Sequence, residues 1–141
     1  MNLKEKIKKK EVQILDWWNK SYKEKISLVD DEYSTYDFES DNLIIEVKHR
    51  FKAYSTKMVE TMKLSVNYQK SQLMNKTFIY IVVDKNGLTL FNITKNINEI
   101  IKLPELNKLM EHTHYYSDTK IMKLHRNLPK NLSALWEVKY D

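Results

Sequence analysis

Asp37, Glu46 and Lys48 fall within one stretch, Tyr-Ser-Thr-Tyr-Asp-Phe-Glu-Ser-Asp-Asn-Leu-Ile-Ile-Glu-Val-Lys-His-Arg, from Tyr33 to Arg50. These are the residue types that metal-assisted phosphodiester hydrolysis needs. Two carboxylates supply hard oxygen donors for a divalent cation, and an amine can orient or activate a water or neutralise charge on a phosphate. Leu43 to Lys48 is an apolar, β-branched run interrupted only by Glu46 and closed by Lys48, so charge sits where a strand should bury hydrocarbon. Charge in such a place costs free energy, and function is a natural reason to tolerate it. The plainer reading is a surface strand with Glu46 and Lys48 in solvent and Asp37 in a turn. The Leu-Ile-Ile run, the aspartate at hairpin distance and the His49-Arg50 pair that follows weigh against it.

Asp41-Asn42 is the best turn signal in the segment, because both residues tolerate turn and left-handed conformations. A two-residue loop centred there sets Glu39 opposite Ile44, Phe38 opposite Ile45 and Asp37 opposite Glu46. Directly opposed residues share a face with Cβ atoms roughly 5 Å apart. Two bare carboxylates so placed repel, and a divalent cation removes the repulsion. Glu39 and Asp41 share parity with Asp37 but fall farther from Glu46, and Asp30-Asp31-Glu32 reads as a solvated connection.

Asp37, eight intervening residues and Glu46-Val47-Lys48 resemble the PD-(D/E)XK nuclease signature. The predicted order of helix, strands, helix and strand over roughly residues 5 to 93 is similar to the core of that superfamily. Tyr36 stands where the family name has proline. The resemblance implies a restriction-endonuclease-like core and a Mg²⁺ or Mn²⁺ held by Asp37, Glu46 and the backbone carbonyl of Val47, with Lys48 as the catalytic lysine. Small Holliday junction resolvases and phage-type endonucleases are the members nearest in size. They imply cutting of branched or junction DNA by a homodimer, since two symmetric nicks require two sites. In resolvase-like members a glutamate of the first helix completes the acidic cluster; Glu11 matches, and Glu5 is a weaker candidate. Other readings with the same fold are a restriction-like or RNA endonuclease, or a module that binds nucleic acid without cutting it.

The elements that must position these groups can be read around them. Leu3 to Lys23 is an expected helix with Ile7, Ile14, Leu15, Trp18 and Tyr22 on one face, and Glu11 falls within that stripe. An edge glutamate paired with a nearby lysine would explain Glu11 equally well. Lys25 to Asp30 is an expected strand. A second helix is expected over Thr56 to Asn75 with Val59, Met62, Val66 and Leu73 inward, Lys70 in the stripe and Gln69 at its edge. Lys70 could snorkel, or Gln69 and Lys70 could reach the site or a phosphate. Thr77 to Val83 reads as a strand buried on both faces, followed by a turn ending at Gly87 and a strand over Leu88 to Ile93. Asn96 to Met110 has a helical pattern split by Pro104. The expected fold is one mixed α/β domain over residues 1–141, with a central mixed sheet of four or five strands flanked by helices, then a helical C-terminal part.

Composition narrows the partner. The chain has 24 Lys and Arg against 19 Asp and Glu, a net charge of +5, which favours a polyanion. The resemblance to the nucleases implies DNA rather than RNA. Arg50, Lys52 and Lys57 just past the motif, with Arg126 in the basic segment from Lys120 to Lys130, are candidate phosphate contacts. No cysteine is present, which excludes disulfides, thiolate zinc sites and cysteine nucleophiles, and a single glycine excludes a P-loop for nucleoside triphosphates. His112 and His114 do not make a recognised zinc spacing with His125. No apolar run has the roughly 20 residues of a membrane span, and the basic N-terminus has no signal-peptide core, so the chain reads as cytoplasmic.

Overall fold

The run Thr-Phe-Ile-Tyr-Ile-Val-Val-Asp lacks polar alternation, and such a run is stable only with both faces covered. In the computed structural model, which describes residues 3–111 and 120–141, it forms strand β5, Thr77–Asp84, buried at every position after the first. Its neighbours are β3, Leu43–His49, and β6, Gly87–Asn92. With β1 (Ser27–Leu28), β2 (Phe38–Glu39) and β9 (Leu135–Val138) they make a six-stranded sheet in the order β1-β2-β3-β5-β6-β9. Only β3 and β5 are parallel, so the sheet is mixed.

A parallel pair needs a crossover of a dozen residues or more. Here it holds strand β4, Lys57–Glu60, and helix α2, Thr61–Leu73. Successive side chains of a strand point to opposite faces, which splits the core in two. Ile79, Ile81 and Val83 join Ile45 and Phe38 beneath Ile14 and Trp18 of helix α1, Leu3–Ser21. Phe78, Tyr80 and Val82 join Ile44 on the other face, packed with Leu64 of α2 and with Ile93 and Ile100 of helix α3, Ile93–Ile100. The described residues are therefore mixed α/β with three α-helices, and Glu46, of the same parity as Ile44, faces α2. Gly87 has φ 125°, and a Cβ there would lie 2.5 Å from the Val138 carbonyl oxygen, so the β5–β6 turn and its contact with β9 require glycine.

The hairpin register agrees with the expectation at Phe38–Ile45 and Glu39–Ile44. The turn is tied down locally. The Ser40 hydroxyl accepts from the Leu43 N–H at 3.1 Å, and Glu24 accepts from the Ser40 hydroxyl and from Asn42. Asp37 departs from the register. Its N–H donates to the Ile45 carbonyl at 2.8 Å, so Asp37 and Phe38 both address Ile45 in the manner of a β-bulge. Asp37 is thus displaced from the position directly opposite Glu46.

Three further expectations are corrected. The second helix starts at Thr61, because Lys57–Glu60 is a strand. Met62 and Leu73 are 74% and 88% exposed, and α2 turns Leu64, Asn67 and Ser71 inward instead. Among the described residues the C-terminal part is mostly strand, with one short 3-10 turn at Lys130–Leu132. After α3, β7 (Leu106–Glu111) and β8 (Lys120–Leu128) pair antiparallel, and β8 pairs with β4 to form a three-stranded sheet. Leu, Lys, Met and Glu dominate these strands and favour helix intrinsically, and pairing with β4 overrides that weak preference.

Candidate active site

A strand that keeps Ile44 and Ile45 in the two cores carries Glu46 into the interior with them. Glu46 is 5% exposed. Its Oε2 accepts from Asn67 Nδ2 at 3.1 Å, and its Oε1 lies 3.6 Å from the Lys63 ammonium, both from α2. Burial raises its pKa to about 7, with Lys63 opposing the rise and Asp37 adding to it. Half-protonation near neutral pH places this carboxylate where a bound cation or a transferred proton changes its state most readily.

Asp37 reaches the same place from the edge of the sheet. Its Oδ2 accepts from the Val47 N–H at 2.7 Å. Burial raises its pKa as well, opposed by the Val47 hydrogen bond and by Lys63 and Lys48. Lys48 shares parity with Glu46, and burial together with the cations Lys63 and Arg50 lowers its pKa, which eases release of its proton. Glu46, Lys48, Arg50, Glu60, Lys63 and Tyr80 line a shallow recess on this face. Two acids and an amine with perturbed ionisation, Glu46 and Lys48 open to the recess and Asp37 beside them, are the groups of an acid–base and cation-binding unit.

Whether these residues suit the implied metal can be tested on the donors. Val47 donates its N–H toward Asp37, and the N–H and C=O of one strand residue point to the same side. The Val47 carbonyl therefore also faces the end of β2 and can join the Asp37 and Glu46 carboxylates. One or two carboxylates plus a carbonyl and waters is a set that Mg²⁺ accepts. Among the described residues no group of three His, Asp or Glu side chains forms a metal cluster. Glu11 is half-buried beside Asp37, and burial and then the Asp37 charge raise its pKa.

The other predicted contacts divide. Lys70 donates to Thr35 Oγ1 at 2.9 Å and lies 5.9 Å from the centre of the Tyr36 ring. With Asn67, which also donates to the Thr35 carbonyl at 2.9 Å, it ties α2 to the segment that presents Asp37. Gln69 is exposed and bonds Ser65. Lys52 is exposed, and Arg50 lines the recess. Lys57, expected to contact a flanking phosphate, is instead 2% exposed and bound to Asp84 at 2.8 Å and Glu137 at 3.2 Å. Arg126 pairs with Glu105 at 3.3 Å and donates to Thr61, so it is not an open phosphate ligand either. His112, His114, Tyr115 and Tyr116 lie outside the described residues. Sequence reasoning missed Lys63, Asn67 and Glu60. The available signal was the spacing Leu64, Asn67, Ser71, an inward α2 face on which polar residues must be met by polar partners.

Compared with known proteins, the chain matches no family model and no curated protein.

Proposed function

We propose that the protein is a metal-dependent endonuclease with a restriction-endonuclease-like core, cutting phosphodiester bonds of DNA, with branched or junction DNA as the preferred substrate and a homodimer as the working unit. The observation that carries the reading is Glu46, 5% exposed yet charge-coupled to Asp37, Lys63 and Lys48 at a recess. The PD-(D/E)XK resemblance supports it, and supplies the substrate and dimer alone.

Asp37, Glu46 and the Val47 carbonyl would hold Mg²⁺ or Mn²⁺, which when bound supplies Lewis acidity toward the phosphate and a more acidic water. Asn67 and the Val47 N–H fix the orientations of the two carboxylates. Lys48, with its ammonium destabilised, orients the attacking water and exchanges a proton with it. Lys63 compensates charge on Glu46 from the rim and can attract the incoming phosphate. Glu11 acts on Asp37 by charge from α1.

The test incubates the protein with a four-way junction, duplex DNA, single-stranded DNA and RNA, in Mg²⁺ or Mn²⁺ and in EDTA. Metal-dependent cutting that is strongest on the junction is expected. Cutting of duplex or RNA alone would move the substrate class, and no cutting of any substrate would overturn the proposal.

A further inference from the structure

The six-stranded sheet has a second concave feature, around the end of β3 from the acids. His49 follows Lys48 and faces α1, as Ile45 and Val47 do; burial, and then the Lys10 charge, lower its pKa to about 4. Beside it opens a cleft of about 270 Å³ lined by Lys10, His49, Arg50, Phe51, Lys85 and Tyr140, with Val83 and Asp84 in its wall. Three of these side chains are cationic. The one acid, Asp84, is already paired with Lys57 at 2.8 Å. Phe51 is 97% exposed, so its ring is open to a ligand at the cleft. His49 Nε2 and Arg50 Nε are buried without hydrogen-bond partners, and both residues line the cleft.

We infer that this cleft binds one nucleotide of a single-stranded nucleic-acid segment, its base against Phe51 and Tyr140 and its phosphate among Lys10, Arg50 and Lys85. Cations interleaved with aromatic rings are the chemistry that grips single strands, because every base offers a π face and every linkage a charge. A base still paired and stacked in duplex has no free face for Phe51, so the site selects unpaired nucleotides. Arg50 gives the cleft its link to the acids, since it lines both the cleft and the recess of Glu46 and Lys48. A strand passing the end of β3 would meet both. The inference deepens the nuclease reading, and its substrate side rests on that reading: it names an unpaired segment next to the scissile phosphate as part of the substrate.

The test measures fluorescence anisotropy of a labelled oligothymidylate, and of the same oligonucleotide with abasic sites, in EDTA over a salt series. Cleavage of a branched DNA in Mn²⁺ is followed in parallel. Phe51→Ala is expected to weaken oligothymidylate binding about five- to a hundredfold and to change abasic binding little. Lys85→Ala and Lys10→Ala are expected to weaken both alike and to lower the salt slope by about one each. Circular dichroism checks that these surface variants fold. If the wild type binds and cuts but the three variants match it in affinity and salt slope, the cleft assignment is overturned and the nuclease reading survives. If the variants weaken binding as expected while no substrate is ever cut, the cleft survives and the nuclease reading falls. If the wild type binds no oligonucleotide, the cleft assignment is overturned.

Discussion

Two charged clusters are buried against the six-stranded sheet, and they are built in opposite ways. At β4, Lys57 is enclosed. Its ammonium meets Asp84 at 2.8 Å, Glu137 at 3.2 Å and the Tyr54 carbonyl at 3.4 Å, and lies 4.9 Å from the centre of the Trp136 ring. Both acids there pair with that one enclosed cation, and the Glu137 carboxyl is held below its usual pKa by hydrogen bonding from Asn86 and by Lys57. At β3 only one of the two acids has an ion pair. Glu46 has one cation at 3.6 Å, itself 36% exposed, and its pKa goes up. Asp37 has a backbone N–H in place of an ion pair. The first cluster is saturated by the protein and serves the fold. The second leaves carboxylate charge for something else to neutralise, which is why the functional reading attaches to it.

Breaking the saturated cluster should cost the most stability. Lys57→Met keeps the volume but leaves Asp84 buried without a cation, with only the Asn86 N–H donating to it at 2.9 Å, and a loss of about 3–5 kcal/mol in denaturant unfolding is expected. A loss below about 1 kcal/mol would mean that the contrast between the clusters is misdrawn.

The unsaturated cluster should respond with the opposite sign. The folded pKa of Glu46, about 7, lies above its ordinary 4.5, so its protonated form stabilises the fold at low pH. That contribution is fully present below about 4.5 and is lost as pH rises through 7. Glu46→Gln cannot ionise, keeps an acceptor for Asn67 and gives up the partly exposed Lys63 pair. In EDTA it should be more stable than wild type at pH 8 by roughly 1–3 kcal/mol, with the gap closing near pH 4.5. Thermal unfolding across pH checks this, and a variant less stable at every pH would contradict it.

A finer distinction comes from metal affinity. A cation must displace the Glu46 proton, so calorimetric Mn²⁺ affinity should fall as pH drops below about 7. Lys63→Ala removes a charge that holds the Glu46 pKa down. The midpoint should then move to higher pH by a few tenths of a unit, since a half-exposed pair is worth little. A midpoint that stays in place or moves down would show that Lys63 does not hold the Glu46 pKa down.

Legibility followed the range of the interactions. The hairpin register could be read because Asp41-Asn42 and the alternating faces settle it locally, and β5 because its burial is written in the unbroken apolar run from Phe78 to Val83. The bulge at Asp37 could not, since it depends on one hydrogen bond to Ile45 and another from Val47. Lys57 looked like a surface cation because its partners lie 27 and 80 residues away. Val59 fitted a helical stripe with Met62 and Val66, and only pairing with Arg126 of β8 makes it a strand residue. In the site, Asp37, Glu46 and Lys48 were visible as charges out of place. Lys63 and Asn67 were not, because on an exposed-looking helix they are ordinary until the phase of α2 is known.

The central claim is that the unsaturated acids and Lys48 do chemistry together. Its most direct test is initial-rate cleavage of a four-way junction in Mg²⁺ by wild type and by Asp37→Ala, Glu46→Ala and Lys48→Ala, with junction affinity measured in EDTA. Each variant is expected to bind within a few-fold of wild type and to cut at least about a hundredfold more slowly. Undiminished cutting by Glu46→Ala, or by either of the others, would contradict the role assigned to that residue.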